Sequence, residues 1–151
     1  MWQAMGANPT PMSWGEVITS LSQGTIDALD HSLGVFNDFS LHKIAPYITL
    51  TNHASSPFPI VCSLDWINSL PEDLRQILEE SIHEVAKKQR EEGANELKYI
   101  ERFKSEGATV EELTPDEVKA FQEKVKPVYD KWRKKVGDEV VDKWLETVPR
   151  N

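Results

Sequence analysis

The sequence predicts an α/β fold, on three observations. Over residues 1–70, short β-prone stretches alternate with stretches of helical spacing, the pattern of helices layered on a sheet. Charge is scarce in that part: it has five acids (Glu16, Asp27, Asp30, Asp38, Asp65) and one base, Lys43, whereas the remaining 81 residues have 20 acids and 16 bases. Sparse charge marks elements covered on several sides, and a dense mixed pattern marks exposed helices. From Pro71 onward, apolar residues recur every three or four positions. The chain is therefore expected to divide into an α/β part, 1–70, and a mostly helical part, 71–151.

Each element has a local cause. Pro9 and Pro11 fix their own φ and push Asn8 and Thr10 towards extended geometry, so "NPTPM" predicts a short edge strand or polyproline segment. Ser13 and Glu16 have the spacing of a capping box, and Val17, Ile18 and Leu21 follow at helical intervals until Gly24, a natural helix stop. "TIDALDHS" predicts a short strand leading into a second helix over about Leu33–Ser40, ended by Pro46. "YITLTNH" (Tyr47–His53) has strong β-propensity, and "PFPIVCSL" predicts another extended apolar run.

The second part opens with Pro71, suited to a helix's first turn, and with Glu72 and Asp73 near the positive end of the helix dipole. Leu74, Ile77, Leu78, Ile82, Val85, Ala86, Gln89, Gly93, Leu97 and Ile100 form a stripe that predicts one helix to about Glu106, with Gly107 as its stop. Such a helix would extend about 50 Å, too long for a lobe of 70 residues, so it should bridge to another body. Its stripe reads as core, with Gly93 admitting a close neighbour. "ATVEEL" predicts a brief strand. Thr114, Pro115 and Glu117 spell a helix start with a complete capping box. Further helix is expected through Val125–Lys135 and Asp138–Thr147, punctuated by Pro127 and Gly137.

Composition removes several function classes. A net charge of −8 over 151 residues opposes a nucleic-acid or anionic-membrane surface, which needs clustered Lys and Arg. No apolar run approaches the roughly 20 residues that span a bilayer, and the first residues lack the basic start and apolar stretch of a secretory signal. Cys62 is the only cysteine, and its apolar neighbours in "FPIVCSL" predict an inert buried thiol. His31, His42 and His53 recur every 11 residues, a spacing that fits no zinc pattern, so no metal and no cofactor are expected. A Cys62–His53 nucleophile pair has no supporting motif, so no enzyme is expected. "KWRKK" (Lys131–Lys135) reads as a solvated helix face.

The ordered motifs "GANPTPMSWGEVITSLSQGTIDALDHS", "YITLTNH" and "SLPEDLRQILEE" resemble the C-terminal half of the substrate-binding proteins of TRAP (tripartite ATP-independent periplasmic) transporters. Any one of these motifs is weak evidence, but together, in that order and spacing, they are specific. The resemblance implies a type II periplasmic-binding-protein fold: two α/β lobes, a cleft between them and a long helix spanning both. It implies a periplasmic receptor that closes on a small organic acid and delivers it to membrane permease subunits, without catalysis.

Carried over by position, Trp14 takes the place of the aromatic that packs against the ligand. Leu29-Asp30-His31 stands where the family commonly has Gln-Glu-Asn, so Asp30 takes the place of the acid and His31 that of a polar ligand-contacting residue. His53 matches the histidine of the family's "TNH". The bare sequence favours the plainer readings, Trp14 as a core residue and His31 as a structural histidine; the resemblance turns the balance for Trp14 and brings His31 level.

The family normally anchors the ligand's carboxylate with an arginine on a strand before "GANP", and this chain's first arginine is Arg75. The resemblance therefore implies a piece of a receptor lacking most of its first lobe. In such a piece the long helix's stripe would be partly bare, and a bare apolar face invites self-association or domain swapping. The alternative reading is a truncated, self-associating structural fragment with no ligand binding of its own.

Overall fold

The computed structural model describes residues 1–54 and 58–147. A 3₁₀ turn at Trp2–Met5 precedes α1 (Trp14–Ser22) and α2 (Leu33–Asp38); a second 3₁₀ turn at Leu41–Lys43 leads to β1 (Tyr47–Leu50). Then come α3 (Leu64–Ser69), α4 (Glu72–Gly93), α5 (Lys98–Ser105), β2 (Thr109–Glu112), α6 (Pro115–Val136) and α7 (Asp138–Thr147). Strands β1 and β2 pair as a two-stranded sheet. The chain falls into two compact units: Ser20–Glu111, and Met1–Thr19 together with Glu112 and the residues after it.

In the unit Ser20–Glu111, the core is small. Leu41, His42 and Phe103 are its fully covered side chains, joined by Phe36, Ile48 and Ala108. The His42 ring stacks on Phe103 with centroids 4.5 Å apart, and the Tyr99 ring centroid lies 6.3 Å from that of Phe103. A buried imidazole needs partners, and Glu106 supplies one: its Oε2 accepts from His42 Nε2 at 3.1 Å and from Lys43 Nζ at 2.9 Å. Its Oε1 accepts from Arg102 Nε at 2.7 Å, while Arg102 Nη1 reaches Asn37 Oδ1 on α2 at 2.7 Å. One carboxylate thus ties α5 to the turn before β1 and, through Arg102, to α2. His42 Nδ1 has no hydrogen-bond partner among the described residues. As an acceptor in the Nε2–H tautomer, it leaves a bare lone pair rather than a stranded proton.

Local chemistry ends α1 as expected. Gly24 takes φ 70°, its N–H donates to the Leu21 carbonyl at 3.2 Å, and the Thr25 N–H donates to Ser20 at 2.8 Å, the two bonds of a Schellman stop. At its start, the Glu16 N–H donates to the Ser13 backbone carbonyl at 3.0 Å, in place of the expected side-chain box. The box at Thr114 and Glu117 is complete.

Several expectations change. Neither "NPTPM" nor "TIDALDHS" forms a strand, because a strand exists only as part of a ladder and no described segment pairs with either. The extended run at "PFPIVCSL" begins outside the described residues; from Phe58 to Ser63 it carries no strand, and α3 follows, capped by Ser63 Oγ accepting from the Trp66 N–H.

The single helix from Pro71 to Glu106 is two helices. Gly93 and Asn95 are weak helix formers, and at Ala94–Leu97 the bonds tighten to three-residue spacing: Asn95 N–H to Glu92, and Lys98 N–H to Asn95. With 22 residues, α4 is about 33 Å long. Nothing lies near a Cβ at Gly93; the close approach falls instead at Gly34 of α2, where a Cβ would stand 2.9 Å from Glu96 Oε1.

No residue of α4 is buried, so the stripe is not core among the described residues: Leu74, Ile77 and Val85 are 50%, 58% and 59% exposed. The partly bare stripe expected of a piece of a receptor is what the structure has.

In the other unit, α6 runs unbroken through Pro127, which lines a hollow beside the 3₁₀ turn at Trp2–Met5. Helix α7 folds back on α6 after Gly137, φ 92°, burying Val141 and setting Tyr129 6.0 Å from Trp144. Arg133 is not merely solvated: it pairs with Asp138 at 3.3 Å and Asp142 at 2.5 Å, which raises its own pKa and lowers that of Asp142. Lys135 Nζ lies 5.0 Å from the Trp132 ring centre.

The bonds from Arg102, Lys43 and His42 lower the Glu106 pKa from 4.5 to about 2. A depressed carboxylate stabilises the fold above its unfolded pKa, and that contribution fades as the carboxylate takes up its proton. Stability should therefore hold at neutral pH and fall as pH drops from about 4.5 towards 2; Glu106→Gln should be less stable at neutral pH and show a much weaker fall. Thermal melts across that pH range measure both.

Candidate functional site

Asp30, His31 and His53 lie in the unit Ser20–Glu111, and Trp14 lies in the other. Trp14 is the first residue of α1 and is 38% exposed, so it is not a core residue among the described residues.

The His53 environment follows from the end of β1. Asn52 takes a left-handed φ of 46°, a conformation Asn tolerates better than most residues, and it ends the strand. On either side of it, Thr51 Oγ1 and His53 Nδ1 meet at 2.7 Å. His53 Nε2 faces Asp30 Oδ2 at 3.2 Å, with the His53 side chain 19% exposed and Asp30 46%. The structure thus brings together two residues that lie 23 positions apart in sequence, and adds Thr51, which sequence reasoning missed. The only signal for Thr51 was its place two residues before His53.

His31 is exposed just before α2. Its Nδ1 accepts the Ser32 N–H at 3.0 Å, while Ser32 Oγ caps α2 by accepting from the Val35 N–H at 3.4 Å.

Each unit has a hollow of its own. The first, of about 400 Å³, is lined by Leu21, Ile26, Asp27, Leu29, Phe36 and Tyr47 among others. Its lining includes a carboxylate and no Lys or Arg, the wrong sign for an organic acid's carboxylate. The second, of about 270 Å³, has Lys131, Trp132 and Pro127 in its wall. Trp14, Asp30, His31 and His53 line neither. Among the described residues, no group of three or more His, Cys, Asp or Glu is arranged to hold a metal ion, and no helix is long and apolar enough to cross a membrane.

Cys62 is exposed, not buried as its neighbours predicted. Phe58, Ile60, Val61 and Leu64 around it are exposed as well, so the apolar run has nothing packed over it among the described residues.

Comparison with known proteins gives a consistent likeness. The family model described as bacterial extracellular solute-binding protein, family 7, matches residues 1–135. A solute-binding protein of Chromohalobacter salexigens is 34% identical over 136 residues, covering 87% of this chain and 39% of that protein. The 2,3-diketo-L-gulonate-binding periplasmic protein of Escherichia coli is 31% identical over 150 residues, covering 99% of this chain and 42% of that one. In three dimensions, a TRAP periplasmic solute-binding protein from Polaromonas, solved with D-erythronate, superposes with a TM-score of 0.85 at 24% identity, covering 99% of this chain and 49% of that chain. The chain spans about two fifths of these curated relatives' length.

The thiol supplies a direct check on this surface. Cys62 should react fully with a thiol-specific chromogenic reagent in the native protein, at a rate close to that in denaturant. A native rate lowered by several orders of magnitude would mean that the apolar run is covered in solution.

Proposed function

The chain belongs to the bacterial extracellular solute-binding proteins of family 7, and from that premise we propose that it is part of a periplasmic TRAP-type receptor for a small organic acid. The complete receptor holds the acid in its cleft and hands it to membrane permease subunits. In this reading residues 1–70 belong to the ligand-binding lobe, and 71–151 supply the helix that reaches the other lobe and the helical segment after it. Trp14 packs on the ligand's carbon skeleton, because an aromatic face offers contact area with little side-chain entropy to lose. Asp30, His31 and His53 contribute hydrogen bonds.

The observation that carries the reading is the family match over residues 1–135, a span that contains all four residues; their roles are carried over from the resemblance of the motifs. The E. coli relative binds a sugar acid by name and the Polaromonas structure contains one, which supports an organic acid as the ligand class. Calorimetric titration with a panel of carboxylates, sugar acids among them, tests it. At least one acid should give saturable heat, and Trp14→Ala should weaken it about tenfold or more, the scale of losing an aromatic contact of 1.4 kcal/mol or above. Heat that no acid produces, or that Trp14→Ala leaves intact, would defeat the reading.

A second reading, a self-associating chain with no ligand binding, is favoured by one observation: the exposed apolar residues along α4 and the run before it. It expects a concentration-dependent dimer in sedimentation velocity, dispersed by Ile77→Glu, together with silence in the titrations. A monomer at all concentrations would remove it.

A further inference from the structure

The run "KVKPVYDKWRKK" (124–135) of α6 holds six bases and one acid, Asp130, in a chain whose net charge is −8. Its bases are not equally engaged. Lys126 is paired with Glu123 at 2.6 Å, and Arg133 with Asp138 and Asp142 on α7. Lys134 and Lys135 lie in the last turn of α6, where positive charge complements the helix dipole. Lys131 stands before that turn and makes no ion pair among the described residues. On open surface such a lysine would be ordinary. This one is in the wall of the hollow of about 270 Å³ beside the 3₁₀ turn at Trp2–Met5.

The rest of that wall is carbon surface and hydrogen-bond donors. Ala4, Pro127 and Val128 supply carbon, and Pro127 and Val128 stand one helical turn before Lys131 and Trp132. Trp132 and Gln3 add an indole N–H and a carboxamide, and neither group has a hydrogen-bond partner among the described residues. No Asp or Glu lines the hollow. The Lys135 ammonium, 5.0 Å from the Trp132 ring centre, sets a second positive charge next to it. The hollow of the other unit has the opposite sign, with Asp27 in its wall and no Lys or Arg.

A solute that complements this wall has one negative charge for Lys131 and a compact apolar body for Trp132, Pro127 and Val128. A hydroxylated acid would set its remaining polar groups against carbon, and a cation would meet an ammonium. We infer that this hollow is a second binding site, for a small monocarboxylate with an aromatic or branched aliphatic body: Lys131 pairs with the carboxylate, and Trp132 and Pro127 pack on the body. The inference stands apart from the receptor reading, because Trp14, Asp30, His31 and His53 take no part in this wall.

Proton–nitrogen correlation spectra of ¹⁵N-labelled protein at neutral pH test it, with benzoate as the probe. The five tryptophans give five indole signals, and Trp132→Phe assigns the one from Trp132 by its loss. Benzoate should shift that signal saturably. Benzamide keeps the ring without the charge, and D-erythronate keeps the charge without the apolar body; each should bind about tenfold more weakly, the scale of one charge-assisted hydrogen bond or one aromatic contact. Lys131→Gln should weaken benzoate about tenfold. Lys134→Gln removes the same charge from the same helix outside the wall, and should change binding by less than about twofold. Both lysines are exposed and unpaired among the described residues, so the rest of the spectrum should stay as it is in either variant.

An unmoved Trp132 signal, an equal response to benzamide or D-erythronate, or equal effects of the two lysine substitutions would overturn the inference.

Discussion

The unit Ser20–Glu111 depends on the Glu106 carboxylate. Its two oxygens gather a histidine, a lysine and an arginine from two places in the sequence 60 or so residues apart, and Arg102 extends the tie to α2. The hydrophobic core beneath is slight, with Leu41 and Phe103 at its centre, so the network carries much of the placement that a larger core would carry by packing. A two-stranded sheet is marginal by itself, and β1 follows directly from the 3₁₀ turn that His42 and Lys43 belong to. Position of the strand, and of the Thr51–His53 segment at its end, follows from that tie.

The bare face of α4 shows the opposite situation. Its repeat of Leu, Ile and Val is what a helix needs when it is covered, yet no side chain on it is buried. Helices in proteins owe most of their stability to such coverage, and α4 has instead pairs along its own surface, Glu84–Lys88 and Gln76–Glu80. The same holds for the apolar run around Cys62. Both features accord with the length comparison, in which the chain spans about two fifths of its curated relatives.

The candidate site shows what pattern reading reaches. Asp30, His31 and His53 were picked by resemblance alone, since nothing in composition or spacing separates them from structural residues. The structure adds that Asp30 and His53 meet and that Thr51 joins them. Cys62 was misread for a definite reason. Apolar neighbours in sequence imply burial only when some element packs against them, and that is a property of the whole body. The break at Ala94–Leu97 was missed similarly: the periodicity of the stripe continues across Gly93 and Asn95, while the turn is fixed locally by three-residue bonds and by Glu96 lying over Gly34.

By itself the sequence determined what depends on neighbouring residues: the Schellman stop at Gly24, the capping box of Thr114 and Glu117, the β-propensity of Tyr47–Leu50 and Thr109–Glu112, and the family, written in the order of its motifs. Only the tertiary structure decided what needs a distant partner. It selected which β-prone stretches became strands, placed His42 rather than His31 or His53 in the core, and set Asp30 against His53. Caps and turns close hydrogen bonds within a few residues, so local sequence specifies them. Ladders, hydrogen bonds between distant side chains and covered faces close between remote segments, and their formation depends on what the rest of the chain brings to meet them.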